Sequence, residues 1–92
     1  MYQEGQTYIV CLPFGWVFIG RFVKRLDYSN NLFERGSYVR NAGQTWAELL
    51  SNGPNGSTVF ATIGDQSITN QTLWAAEWPH ALPGEAKRKG SK

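Results

Sequence analysis

The sequence predicts a mainly β fold, a small SH3-like or related barrel of five to six strands with one short helix. Apolar and β-branched runs of strand length recur along the chain, separated by Gly, Pro, Asn and Asp. A capped helical pattern interrupts them at residues 43–54. The 92 residues suit one domain. We assign residues 1–83 to this domain and residues 84–92, which are polar and basic, to a disordered tail.

The first three strands follow from residue type. Residues 7–12 (TYIVCL) are β-branched and aromatic, and Pro13 ends them. A long second strand covers residues 16–26. The turn-forming residues 27–31 (DYSNN) then fold it back onto a third strand over residues 32–40.

Residues 43–54 (GQTWAELLSNGP) change from a period of two to a helical pattern. Thr45 is a good N-cap residue, and Glu48 completes a capping box with it. Gly53 and Pro54 end the helix, which must pack on the sheet because it is too short to be stable alone.

The remaining strands are short in this prediction. Residues 57–63 alternate between apolar and polar side chains, which indicates a fourth strand. Gly64, Asp65 and Gln66 then predict a turn, followed by a short strand over residues 67–70. A last strand covers residues 72–78 and ends at a proline.

The second strand is apolar on both faces. Val17, Ile19 and Val23 are typical core residues on one face. Within one chain, bending at Gly20 or cover by the helix and the C-terminal segment would explain the other face. A homo-oligomer would also explain it, with Arg21, Lys24 and Arg25 at the rim of the seam. The interface then consists of Trp16, Phe18 and Phe22.

Charge and cysteine content restrict the partners and the compartment. Residues 1–83 contain five basic and six acidic side chains, a net charge of −1, whereas residues 84–92 carry +3. Duplex DNA binding by charge alone is therefore not indicated for the domain. Cys11 is the only cysteine, which excludes an intramolecular disulfide and favours a reducing compartment. No apolar run could span a bilayer and no signal peptide is evident, so we expect a cytoplasmic protein with no membrane partner.

No catalytic or metal-ligating set is evident in the sequence. His80 is the only histidine, and we expect it to be solvated near the tail. Asp27 and Asp65 are explained by turns, and Glu48 by the capping box. We therefore expect a protein that is not an enzyme and uses neither cofactor nor metal.

A candidate ligand site covers residues 38–46 (YVRNAGQTW), where a strand ends and the helix begins. Arg40 could bind a phosphate with its guanidinium, amides could contact a base edge, and aromatic rings could stack on the base. The structural alternative is that Arg40 pairs with an acid, Asn41 closes a turn and Trp46 belongs to the core. The predicted ligand-binding residues are Arg21, Tyr38, Arg40, Asn41, Gln44 and Trp46.

The stretch VRNAGQTWAELLSNGP, residues 39–54, resembles a segment of small uncharacterised β-barrel proteins of bacterial viruses. The shared features are an Arg-Asn pair, a Gly/Thr stretch, a Leu-containing turn of helix and Gly-Pro, with strands on both sides. The resemblance implies a phage origin and a small β-barrel fold.

Small phage proteins without catalytic residues commonly act by occupancy, and one such class sequesters the nucleotide signals of host defence. The resemblance does not fix a function. Because no catalytic set is evident and arginines lie near aromatic residues, our leading hypothesis is a non-enzymatic, homo-oligomeric protein of the host cytoplasm that sequesters a small anionic nucleotide, such as a cyclic oligonucleotide. Two alternatives stay open. The chain could be a nucleic-acid-binding small barrel that uses the tail at residues 84–92. It could also be a protein-binding inhibitor or structural module that uses the aromatic face of the second strand.

Overall fold

The chain forms five strands and one helix, in the order β1 (Thr7–Cys11), β2 (Val17–Arg25), β3 (Asn30–Asn41), α1 (Trp46–Asn52), β4 (Val59–Thr69) and β5 (Trp74–Glu77). The computed structural model describes residues 2–83, so the predicted basic tail lies outside the described residues. All neighbouring strands are antiparallel, in the sheet order β4-β3-β2-β1-β5. The predicted mainly β class with one short helix is confirmed. Over the described residues the sheet is open, with β4 and β5 at its edges.

Both faces of β2 are buried within the chain, which explains its two-faced apolar pattern. One face contributes to a cluster that we call the helix-side core, because α1 and the segment after β5 cover it. The opposite face contributes to a second cluster, which we call the aromatic core. The helix-side core consists of Ile9, Cys11, Val17, Ile19, Leu49, Trp78 and Leu82. The aromatic core consists of Tyr8, Val10, Phe18, Phe22, Phe33 and Ile68.

Two of the three residues predicted to form an oligomer interface, Phe18 and Phe22, are buried in the aromatic core. Phe18 is 1% and Phe22 is 7% exposed, and each ring packs edge-on against Phe33. Tyr2 covers this side, with its ring centroid 5.5 Å from that of Phe22. Of the three aromatic residues assigned to an interface, only Trp16 remains exposed, at 54%. The predicted cover by the helix and the C-terminal segment is therefore found on the face of Val17 and Ile19, whereas the N-terminal segment around Tyr2, which was not predicted as cover, lies over the aromatic face.

The turn predicted at residues 64–66 is instead an irregularity inside a continuous strand β4. Phe33 pairs with Gln66 and Gly36 pairs with Gly64, so β3 has one more residue than β4 over this step. Gly64 (φ 75°) and Arg35 (φ 55°) both adopt left-handed backbone there. Such a bulge uses the same residue types as a turn, which is why the sequence pattern indicated a turn.

Helix α1 begins with the predicted capping box. The Thr45 hydroxyl accepts from the Glu48 N–H at 3.1 Å, and the Glu48 carboxylate accepts from the Thr45 N–H at 3.1 Å. Gly53 ends the helix with a left-handed φ of 82°. Leu49 is fully buried in the helix-side core and fastens this short helix to the sheet.

Asp27 organises the turn between β2 and β3. Its Oδ1 accepts from the backbone N–H groups of Ser29 at 2.8 Å and Asn30 at 3.0 Å. The hydrogen bond from the Ser29 N–H is the largest cause that lowers the pKa of Asp27 below its ordinary value. Because the folded chain holds this pKa below that of the unfolded chain, the stabilisation is complete above the unfolded-state pKa. It is lost as the pH falls through the lowered value.

We expect Asp27→Asn to lower the thermal midpoint near neutral pH, with a difference from the native chain that shrinks as the pH is lowered through the acidic range. Both proteins lose stability as their other carboxyl groups become protonated, so the difference between the two curves isolates Asp27. Circular dichroism melts at a series of pH values measure it. A difference independent of pH would contradict this role.

Gly36 lies against the ring of Phe18 in the aromatic core. A Cβ atom here would overlap two ring carbons of Phe18 and lie 2.8 Å from the Gly64 carbonyl oxygen. Backbone on one side and a fully buried ring on the other leave no direction for relaxation.

We expect Gly36→Ala to lower the free energy of unfolding by about 1–3 kcal/mol through overpacking. Urea denaturation measures this change. Gly56→Ala is the matched control, because a Cβ atom at Gly56 meets nothing within 4 Å and its φ is not left-handed. Equal stability of the two variants would contradict the packing of Phe18 over Gly36.

Candidate functional site

A group of aromatic and basic side chains lies at one end of the sheet, and we call it the aromatic–arginine patch. Phe14 and Trp16 belong to the turn before β2, and Tyr38 and Arg40 belong to the last part of β3. Because Phe18 pairs with Tyr38, the antiparallel register places the start of β2 beside the end of β3. The register between β3 and β4 shifts between Val39 and Asn41, so a bulge at Arg40 interrupts the regular alternation of side chains next to Tyr38.

The β1–β2 turn presents Trp16 to the solvent. The Gly15 N–H donates to the Leu12 carbonyl at 2.9 Å, and the Leu12 N–H donates to the Trp16 carbonyl at 2.7 Å. Gly15 adopts a φ of 91°, a conformation that side chains disfavour. The turn thus fixes the residue before β2 by backbone contacts alone.

The rings of the patch are ordered against each other. Trp16 stacks on Tyr38 with centroids 4.9 Å apart and an interplanar angle of 27°. Phe14 packs edge-on against Trp16 at 5.8 Å and is itself 70% exposed. A cavity of about 290 Å³ adjoins these rings, lined by Gly15, Trp16, Tyr38, Val39 and Arg40.

Arg40 is a cation without a protein partner in the described chain. Its side chain makes no hydrogen bond with any group of residues 2–83, and their one ion pair joins Arg21 to Glu34. The alternative that Arg40 pairs with an acid is therefore not observed within this range. The patch combines exposed ring surface with a guanidinium group, which is the chemistry that binds a planar anion.

The other predicted ligand residues have structural partners. The Arg21 Nε donates to the Glu34 carboxylate at 2.7 Å. Asn41 accepts from the Gly43 N–H at 3.1 Å, which is the turn-closing role considered for it. The Gln44 side chain donates to the Gly53 carbonyl at 2.9 Å and joins the two ends of α1.

Trp46 lies apart from the patch. It is 40% exposed and packs edge-on against Trp74 on β5, with centroids 6.0 Å apart. The structure thus brings together Tyr38 and Arg40 of the predicted set and adds Trp16 and Phe14. Sequence reasoning placed Trp16 in an interface and gave no role to Phe14. The signal that could have found them is the Pro-Phe-Gly-Trp turn, whose length places two aromatic residues outside a strand.

His80 is not solvated as expected. Its Nε2 lies 2.8 Å from the Leu50 carbonyl oxygen, and its ring packs edge-on against Trp78 at 4.9 Å. A Cβ atom at Gly53 would lie 3.3 Å from the same ring, so the imidazole rests against the C-terminal end of α1. This histidine connects the helix to the segment that follows β5.

Comparison with protein-family models, with curated proteins and with solved structures found no match to this chain. The resemblance to phage proteins therefore stays a prediction. Within residues 2–83, no group of three or more His, Cys, Asp or Glu side chains could hold a metal ion. The same part of the chain contains no helix that is long and apolar enough to cross a membrane.

We expect His80→Ala to lower the free energy of unfolding by about 0.5–1.5 kcal/mol for the lost hydrogen bond, and further for the lost ring packing. His80→Gln keeps an N–H donor and should lose less. Thermal or urea denaturation of both variants tests the contact. Unchanged stability of His80→Ala would indicate a solvated side chain instead.

Proposed function

We propose that this chain is a non-enzymatic binding protein whose aromatic–arginine patch binds a small anionic nucleotide. The observation that carries the proposal is the Arg40 guanidinium, which has no protein partner within residues 2–83 and lies beside the exposed Trp16–Tyr38 stack. A ring of this kind can stack on a base, and a guanidinium group can bind a phosphate with two parallel hydrogen bonds.

The dimensions of the patch suit one nucleotide unit at a time. Its cavity of about 290 Å³ lies at the lower limit of the roughly 300–1,000 Å³ typical of small-molecule sites. The described residues that line it include no carboxylate, histidine or cysteine, so they supply stacking and charge. We therefore propose action by occupancy. In this proposal a phage protein sequesters a nucleotide signal of host defence.

A second candidate function is binding of single-stranded nucleic acid. It is favoured by the exposure of the rings, since Phe14 at 70% and Trp16 at 54% form an open surface along which a strand could pass. Stacking on exposed rings tolerates any base sequence. The two functions differ in their dependence on salt, because a strand that contacts several phosphates releases several counterions.

We expect isothermal titration to detect binding of at least one of cyclic di-AMP, cyclic tri-AMP and ADP-ribose. Trp16→Ala should weaken that binding by about 5- to 150-fold, the equivalent of the ~1–3 kcal/mol typical of a stacked base. Arg40→Gln should also weaken it, through loss of the charge-assisted contact. Lys24→Gln is the matched control, because it removes an exposed positive charge on β2 far from the patch.

Two results would contradict the nucleotide proposal. One is the absence of heat and of a thermal shift with all three ligands. The other is stronger binding of an oligothymidylate, with a steep loss of affinity as salt increases, which would favour the nucleic-acid alternative.

A further inference from the structure

A second cavity lies at the other end of β2, and we call it the N-terminal pocket. Its volume is about 210 Å³, and it is lined by Tyr2, Phe22, Arg25, Asn31 and Asn70. Phe22 lies six positions after Trp16, which corresponds to roughly 20 Å along an extended strand. The pocket is therefore separate from the aromatic–arginine patch, and no mononucleotide contacts both.

The aromatic wall of the pocket is formed before any ligand arrives. The ring of Tyr2 lies 4.8 Å from that of Tyr8, 5.2 Å from that of Phe33 and 5.5 Å from that of Phe22. Backbone contacts hold the segment behind it, since the Gln3 N–H donates to the Tyr8 hydroxyl and the Gly5 N–H donates to the Phe22 carbonyl. A flat ring can therefore enter without a rearrangement of this wall.

The opposite side of the pocket carries the side-chain amide of Asn31, whose N–H group is hydrogen-bonded and whose oxygen is not. Asn31 is only 3% exposed, and its Nδ2 donates to the Asn70 side-chain oxygen. Asn70 in turn donates to the Tyr28 carbonyl. The Asn31 Oδ1 has no hydrogen-bond donor among residues 2–83, it is not fully enclosed, and Asn31 lines the cavity. A ligand N–H would complete this buried network.

Arg25 places a fixed positive charge at the same pocket. Its Nε donates to the Asp27 carbonyl at 2.9 Å and its Nη2 donates to the Tyr28 carbonyl at 3.1 Å. These bonds to the turn orient the guanidinium group, and the Asp27 carboxylate interacts with it electrostatically and offsets part of its charge. Within residues 2–83 no carboxylate lies within 4.0 Å of its nitrogen atoms. The Asp27 carboxylate is engaged by the N–H groups of Ser29 and Asn30.

We propose that the N-terminal pocket binds a single-ring heteroaromatic carboxylate. The ring packs against the wall that Tyr2 and Phe22 form together, a ring N–H donates to the Asn31 Oδ1, and the carboxylate pairs with Arg25. The volume of about 210 Å³ is below the roughly 300–1,000 Å³ of sites for drug-sized molecules, which restricts the ligand to one ring. This inference does not depend on nucleotide binding at the aromatic–arginine patch.

Orotate, uracil and benzoate are the probes, added to the full chain labelled with ¹⁵N and observed by NMR. Orotate has both the ring N–H donors and the carboxylate, uracil lacks the carboxylate, and benzoate lacks the donors. We expect orotate to shift the side-chain amide signals of Asn31 and Asn70 and to bind about tenfold more tightly than either other probe, the usual effect of a charge-assisted hydrogen bond.

Two variants separate the contribution of the Arg25 charge from that of ring packing on Tyr2. Arg25→Gln should reduce orotate affinity to that of uracil, and Tyr2→Leu should weaken all three probes without touching the turn that Arg25 supports. Arg40→Gln changes the other site and should leave the orotate-induced shifts of Asn31 and Asn70 unchanged. The backbone spectrum of each variant reports whether it is folded.

Three results would overturn the proposal. The first is no saturable shift with orotate in the millimolar range. The second is a shift pattern centred on Trp16 and Tyr38 instead of the pocket. The third is equal affinity for orotate and uracil in the native chain, together with unchanged orotate affinity in the folded Tyr2→Leu variant.

Discussion

The burial of both faces of β2 is the constraint on which the rest of this structure depends. Val17, Phe18 and Ile19 are consecutive and are 3%, 1% and 0% exposed, so neither face of the strand is left to solvent. A sheet buried on both sides needs cover on both sides. The chain supplies α1 with the segment after β5 for one face and the N-terminal segment for the other. Helix α1 is too short to be stable alone, and its packing over the helix-side core stabilises it.

The aromatic core fits into so small a domain because glycine lies beneath its central ring. Cβ atoms at Gly20 and Gly36 would both overlap the ring of Phe18. Two neighbouring strands thus omit side chains where the phenylalanine lies flat across them. The same region of β3 contains the extra residue opposite Asp65, and such a bulge increases the local twist of a strand pair. The ring of Phe18 therefore packs at the same point of β3, Gly36, at which the pairing with β4 is irregular.

Local signals in the sequence predicted most of the elements, and long-range contacts decided the rest. The capping box of Thr45 and Glu48 needs only neighbouring residues, so it could be predicted. The fate of Phe22 depends on Tyr2, twenty positions away, and no local pattern reports such a contact. The candidate site divides in the same way. Tyr38 and Arg40 were predicted from their own segment, whereas Trp16 joins them only through the register between β2 and β3.

The position of each arginine relative to the buried centre of the sheet decides what it can do. Arg21 lies in the middle of the ladder, where the register places Glu34 directly opposite and the two charges pair. Arg25 lies where β2 enters a turn, and backbone carbonyls orient it near the Asp27 carboxylate, with which it forms no ion pair within 4.0 Å. Arg40 lies near the end of β3, beside stacked rings.

Side chains at the centre of this sheet contact other side chains of the chain, either in the two cores or in the ion pair of Arg21 with Glu34, because both faces of the sheet are covered there. The two sites proposed for anionic ligands lie instead at opposite ends of β2. There the strands emerge from the core and carry an oriented or unpaired guanidinium group next to aromatic rings.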